Sequence, residues 1–148
     1  MTNISLRNYN REIEQMITDG HIQEAIAHCK HILRTFPKHI ETYQLLGKAY
    51  LESGQHSSAA DIFLRVLTVI PDNFVSHIGM SIIREDEGNI NAATAHMERS
   101  FEKQPYNSAI QEELRRLYGK RDGMTPPKVR LTQGALARMY YKGGLIKQ

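Results

Sequence analysis

The sequence holds a single cysteine, Cys29, and no long apolar segment. One cysteine can form neither a disulfide within the chain nor a cysteine-rich zinc site, and its scarcity suits a reducing compartment. We therefore expect a cytoplasmic protein. Uninterrupted apolar runs are only a few residues long, whereas crossing a bilayer takes about 20 residues. We expect no membrane span.

Glycine and proline are not enriched, with 10 and 5 residues among 148. This composition excludes the collagen-like and low-complexity classes. Hydrophobic residues make up 41% of the chain, which is enough for a continuous core. The remaining class is a folded globular protein.

The local signatures of common enzymes are missing as well. The chain contains no G-x-x-x-x-G-K-[ST], G-x-G-x-x-G, H-E-x-x-H or G-x-S-x-G motif, so we expect neither a catalytic residue nor a cofactor. The best metal candidate is the segment His28-Cys29-Lys30-His31, in which two histidines are spaced to share a helical face. Zinc sites take three or four converging ligands, and we interpret these histidines as surface residues.

Three residue types share one period of 34 residues. Prolines, glycines and alanines recur in one register, at Pro37, Pro71 and Pro105, at Gly20, Gly54 and Gly88, and at Ala25, Ala59 and Ala93. Glycine tolerates the left-handed backbone that ends a helix, and proline interrupts a helix because its ring sets φ and removes a donor. The period therefore predicts a unit of helix, glycine turn, helix and proline turn.

Apolar residues between these breaks recur three or four positions apart, which is the spacing of one helical face. Residues 40–73 carry the fullest set, which is Tyr43, Leu46, Gly47, Tyr50, Gly54, Ala59, Phe63 and Pro71. This set resembles the tetratricopeptide-repeat family. The resemblance implies an all-α fold in which tandem helix-turn-helix repeats stack in a right-handed superhelix.

The resemblance also implies a domain organisation. Residues 1–121 would hold three full repeats, over 6–39, 40–73 and 74–107, and the first helix of a fourth repeat over 108–121. A turn rich in proline and glycine is expected over 122–130, and an amphipathic helix over 131–148.

The role of that terminal helix is open between several alternatives. It packs on residues 108–121, docks on the binding face, meets a second copy in a homodimer, or starts a further repeat of a longer repeat protein. We favour packing on residues 108–121, because neighbours in sequence are usually neighbours in space. Whether Gln148 is the natural end stays open.

In this family the first helix of each repeat lines a concave surface that binds a peptide or helix of another protein. Carried over by position, the implied contact residues are Asn10, Glu14, Gln44, Lys48, Val75, Ile78 and Ile82, with Glu85 beside them. Val75, Ile78 and Ile82 form an apolar strip. The strip either binds an apolar ligand or, after a small rotation of its helix, joins the core.

Some family members grip the carboxylate at the C-terminus of chaperones with lysine, arginine and asparagine side chains. The corresponding positions here are Asn10, Glu14, Leu45, Val75 and Gly79. These side chains supply no cation for a carboxylate, so we do not expect chaperone-tail binding of that kind.

Basic residues collect toward the end of the chain. From Arg115 onward there are 9 of the 19 basic residues but only 1 of the 16 acidic residues, a net charge of +8. This excess offers an alternative function, the binding of nucleic acid or of an anionic surface. The basic residues are spread rather than clustered, so we favour a non-catalytic protein–protein interaction scaffold. Its partner would be an unidentified protein or peptide, and we expect neither nucleic acid nor membrane as a partner.

Overall fold

The computed structural model describes residues 3–124, which form seven α-helices and no strand. The helices are α1 (Asn3–Thr18), α2 (Ile22–Thr35), α3 (Ile40–Glu52), α4 (His56–Val69), α5 (Phe74–Asp86), α6 (Ile90–Lys103) and α7 (Ser108–Asp122). The all-α helical-repeat prediction is confirmed, while the right-handed superhelix and the repeat boundaries stay predictions. The expected helix over 131–148 and most of the 122–130 turn lie outside the described residues.

The chain divides into two compact units. Unit 1, Met1–Pro71, contains α1 to α4, and unit 2, Asp72–Gln148, contains α5 to α7. In unit 1, α3 packs on α1, α2 and α4, and α1 also packs on α2. In unit 2, α6 packs on both α5 and α7.

The same hydrogen-bonded turn closes α1, α3 and α5. Each of these helices is followed by a glycine with positive φ, at +89° for Gly20, +78° for Gly54 and +82° for Gly88. The residue after each glycine donates its N–H to the carbonyl five residues back, as His21 to Met16, Gln55 to Tyr50 and Asn89 to Arg84. This bond reverses the chain and satisfies a carbonyl at the helix end. The following helix therefore folds back on its predecessor.

Each unit has a described core cluster in which side chains from adjacent helices meet. In unit 1 the cluster consists of Leu6, Ile13, Ile17, Ala25, Ile26, Cys29, Ile32, Leu45, Leu46, Ala49 and Ile62. In unit 2 it consists of Ala93, Met97, Phe101, Ile110, Leu114 and Leu117. Burial of this apolar surface supplies the main favourable free energy for packing the helices.

Helix α3 approaches α4 closely at Gly47. The Phe63 ring of α4 is 2% exposed and lies where a side chain at position 47 would begin. An ideal Cβ on Gly47 would be only 2.6 Å from Phe63 Cε1. The absence of a side chain at Gly47 thus sets the separation of α3 from α4, and α3 carries two of the predicted contact residues.

Asparagine starts every helix of unit 2. The side chain of Asn73 accepts a hydrogen bond of 2.9 Å from Ser76 N, and Asn89 accepts one of 3.0 Å from Ala92 N. Asn107 does the same at the start of α7. These caps satisfy backbone donors that have no partner within the first turn of a helix.

Candidate functional site

Unit 1 carries four of the predicted contact residues on two neighbouring helices. Asn10 and Glu14 lie one turn apart on α1, and Gln44 and Lys48 lie one turn apart on α3. Lys48 Nζ is 3.9 Å from Glu14 Oε1, and about half of each of these side chains is exposed. Such an exposed pair contributes at most about 1 kcal/mol. The charges of Glu14 and Lys48 can therefore exchange partners with a ligand at little cost.

Asn10 differs from the other three because it is only 1% exposed. Its Oδ1 accepts a hydrogen bond of 3.2 Å from Thr42 Oγ1 on α3, and Thr42 Oγ1 lies 2.7 Å from His39 Nδ1. Among residues 3–124, Asn10 Nδ2 has no hydrogen-bond partner. Asn10 thus links α1 to α3. It is hidden from solvent, although the family pattern assigns this position to the concave surface.

Unit 2 carries the apolar strip on α5. Val75 and Ile78 are half-buried, and Ile78 packs against the core cluster of α6 and α7. Ile82 is 40% exposed, although Met80 and Ile83 beside it are buried. The sequence left open whether these three residues face a ligand or join the core, and they do not all behave alike. Ile78 joins the core, and Ile82 offers apolar surface to solvent.

Glu85 follows this apolar strip on α5 and is bound by two cations of α7. Arg116 donates two hydrogen bonds to its carboxylate, at 2.6 and 2.8 Å, and Lys120 donates one at 2.9 Å. The Arg116 hydrogen bond is the main cause that lowers the pKa of Glu85 to about 2, with Lys120 adding to the effect and burial opposing it. Only 16% of the Glu85 side chain is exposed. Glu85 thus ties α5 to α7 instead of offering a charge to a ligand.

The described part of the basic stretch is paired with carboxylates throughout. Arg115 donates to Glu112 at 2.9 Å, and Arg121 donates to Asp122 at 2.8 Å. Arg116 and Lys120 hold Glu85, as described above. These pairs reduce the charge that α7 can present to a phosphate backbone. The other five basic residues of the stretch, Lys128, Arg130, Arg138, Lys142 and Lys147, lie outside the described residues.

The candidate metal residues of α2 lie in different surroundings. Cys29 is fully buried, and burial raises the pKa of its thiol to about 12. His28 Nδ1 is hydrogen-bonded to the Tyr9 hydroxyl on α1, and His31 is exposed. Within residues 3–124 no group of three histidine, cysteine, aspartate or glutamate residues is placed to hold a metal ion.

Reasoning from the sequence missed a pair of histidines in unit 2. His77 Nδ1 on α5 lies 3.0 Å from His96 Nδ1 on α6. Tyr9 and His28 make the corresponding contact between α1 and α2, and the members of both pairs are 19 residues apart. The 34-residue period was the signal that could have found the pair, because Tyr9 and His77 occupy the same place in their repeats, as do His28 and His96.

A comparison with known protein families found a match. Residues 16–75 match a family model described as tetratricopeptide repeat. A search of curated proteins found no match. Of the helices in the described part of the chain, none is long and apolar enough to cross a membrane.

Proposed function

We propose that the chain binds a peptide or helix of another protein on the first helices of its repeats, which are α1, α3 and α5. The premise is that residues 16–75 match the tetratricopeptide-repeat family model. Tetratricopeptide repeats are generally protein–protein interaction modules and typically have no enzymatic role. Stacked repeats present long surfaces suited to such binding. On unit 2, the α5 face with Ile82 would take an apolar ligand side chain. On unit 1, the α1–α3 face would offer polar contacts.

The exposure of Ile82 is the observation that carries this proposal. An isoleucine that is 40% exposed gains free energy when a ligand covers it, roughly 1 kcal/mol at about 25 cal/mol per Å². Half-buried Val75 and Ile78 extend the apolar strip toward the start of α5. A helix with apolar residues three and four positions apart matches such a strip.

Unit 1 offers polar rather than apolar contact residues. Glu14 and Lys48 are exposed, and Gln44 is half-buried on the same helix as Lys48. Their carboxylate, ammonium and amide groups can orient a peptide by hydrogen bonds. Because exposed polar contacts contribute little net free energy, we expect the apolar strip of unit 2 to bind a ligand more tightly than the polar face of unit 1 does.

The test selects ligands first and then perturbs the α5 face. Peptides would be selected from a random display library on the full chain, and their Kd measured by fluorescence anisotropy. Ile82→Glu places a charge in the contact, so affinity should fall at least about tenfold. Leu64→Glu is the matched control, because Leu64 on α4 is 44% exposed but lies on a second helix. Equal loss in both variants, or no selected peptide, would contradict the proposal.

A further inference from the structure

The positions of Tyr9 and His28 recur with the 34-residue period, and each repeat fills these two positions with a different pair of side chains. In repeat one it is Tyr9 with His28, in repeat two Tyr43 with Ile62, and in repeat three His77 with His96. Only the third combination joins two imidazoles. The contact is close, with the Nδ1 atoms 3.0 Å apart and the ring centroids 5.2 Å apart.

Two imidazole nitrogens at this distance can form a hydrogen bond only when one of them is protonated and the other is not. In the neutral pair, the Nδ1–H of one ring donates to the bare Nδ1 of the other. A first added proton can enter at the far nitrogen, which keeps this bond but places a charge in the packing of α5 against α6. A second added proton leaves two Nδ1–H groups facing each other and breaks the bond.

The surroundings oppose such a charge. His77 is only 5% exposed, and His96 is half-buried. Burial is the main cause that lowers the pKa of His96 to about 4, with smaller contributions from His77 and from the cations Arg84 on α5 and Arg99 on α6. From α7, the other helix packed on α6, the ionisable Tyr118 reaches α6 and donates to Glu98.

We propose that the His77–His96 pair makes the packing of α5 on α6 sensitive to acid, so that protonation loosens the helix that carries the apolar strip. The part concerning ligand binding rests on the proposed function. The part concerning the α5–α6 packing does not, because it follows from the pair itself. Val75, Ile78 and Ile82 share α5 with His77, so a change in how α5 is held alters the strip.

Proton linkage gives the direction and the size of the pH effect on the α5–α6 packing. An imidazole with a pKa of about 4 when folded and 6.5 as reference binds fewer protons in the folded state between those two values. Its stabilising effect is therefore complete above pH 6.5 and is lost as the pH falls toward 4. Between pH 7.5 and 5.0 the equilibrium constant for closing this packing should fall about ten- to thirtyfold, the lower figure allowing for solvent screening at a half-buried ring.

The experiment uses hydrogen exchange of the full chain followed by mass spectrometry. Protection of the α5 and α6 amides is measured at pH 7.5 and 5.0 and corrected for intrinsic exchange, with α1 and α2 as the internal reference. The variants copy pairs that the protein already contains. His77→Tyr reproduces the Tyr9–His28 pair, and His77→Tyr with His96→Ile reproduces the Tyr43–Ile62 pair. His31→Asn, at an exposed position on α2, controls for the loss of any histidine.

The wild-type chain and His31→Asn should lose about ten- to thirtyfold protection in α5 and α6 at pH 5.0. The single variant should lose less, and the double variant should lose no more protection there than in α1 and α2. Equal losses in the double variant and the wild-type chain would overturn the proposal. If the variants do not fold, NMR titration of the wild-type imidazole Cε1–H signals decides, because both rings titrating near pH 6.5 would overturn it.

A separate arm addresses ligand binding. The Kd of a selected peptide is measured at pH 7.5 and 5.0 for the wild-type chain and the double variant. Acid should weaken binding to the wild-type chain more than binding to the variant, and an equal weakening would overturn the link between the pair and the strip. If no peptide binds at pH 7.5, the proposed function fails, while the hydrogen-exchange result still decides whether the pair responds to acid.

Discussion

Replacing Gly47 with alanine should destabilise the protein, although alanine is the better helix former. The new Cβ would lie 2.6 Å from Phe63 Cε1, 2.8 Å from Cζ and 3.0 Å from Cδ1. Because the Phe63 ring is buried, it cannot swing into solvent and must displace its neighbours. Such overpacking costs about 1–3 kcal/mol. The helical preference of alanine over glycine returns roughly 0.5–1 kcal/mol. Because the 2.6 Å clash places the overpacking cost in the upper half of its range, we expect a net loss of about 1–2 kcal/mol.

The assay is urea unfolding of the wild-type chain, Gly47→Ala, Phe63→Leu and the double variant. With a slope of about 1–2 kcal/mol per molar urea, Gly47→Ala should lower the midpoint by roughly 1 M. In the Phe63→Leu background the ring is gone, and the same alanine should be neutral or stabilising by up to about 1 kcal/mol. The cycle should therefore give a coupling of at least about 1 kcal/mol between the two positions.

Gly54→Ala provides a matched control. Gly54 has a φ of +78° and nothing within 4 Å of an added Cβ, so its cost is backbone strain of roughly 1–2 kcal/mol. That cost should add to the effect of Phe63→Leu within about 0.5 kcal/mol. A Gly47→Ala chain at least as stable as the wild type, or one that shows no coupling to Phe63, would refute the close approach of α3 and α4.

Three further predictions concern single residues. Glu85→Gln should cost about 1–2 kcal/mol at pH 7 because it weakens the bonds from Arg116. Since the pKa of Glu85 is lowered to about 2, that difference should be present above pH 4.5 and disappear as the pH falls toward 2 in urea unfolding at a series of pH values. Asn73→Ala should cost about 1 kcal/mol in thermal unfolding, and Asn73→Ser much less, because serine also accepts from Ser76 N. The buried thiol of Cys29 should react with a thiol reagent at least about a hundredfold more slowly in the native chain than in urea, and equal rates would show that the site is open.

The helical hairpins could be predicted from the sequence because their causes are local. A glycine with positive φ and a backbone bond across five residues are sufficient to reverse the chain, and both recur with the 34-residue period. The fully buried Ala25, Ala59 and Ala93 show the same regularity. Periodic positions are thus good predictors of helices, turns and the buried side of a helix.

The contacts of the candidate site were harder to predict because they depend on which long side chains meet across helices. Glu85 and Arg116 are 31 residues apart, and the family pattern says nothing of their pairing. Asn10 occupies a binding position in the pattern, yet its side-chain oxygen accepts a hydrogen bond from Thr42 on the neighbouring helix. In each case the contact depends on the particular side chains that stand at positions where the repeat pattern specifies no residue type.

NMR mapping decides whether a ligand contacts the first helices of the repeats, which are α1, α3 and α5. A selected peptide would be titrated into the ¹⁵N-labelled full chain while the backbone amide signals are followed. We expect the largest shifts on these helices, at Lys48 of α3 in unit 1 and at Ile82 of α5 in unit 2, with little change at Leu64. Shifts confined to α2, α4 and α6 would contradict the proposed function.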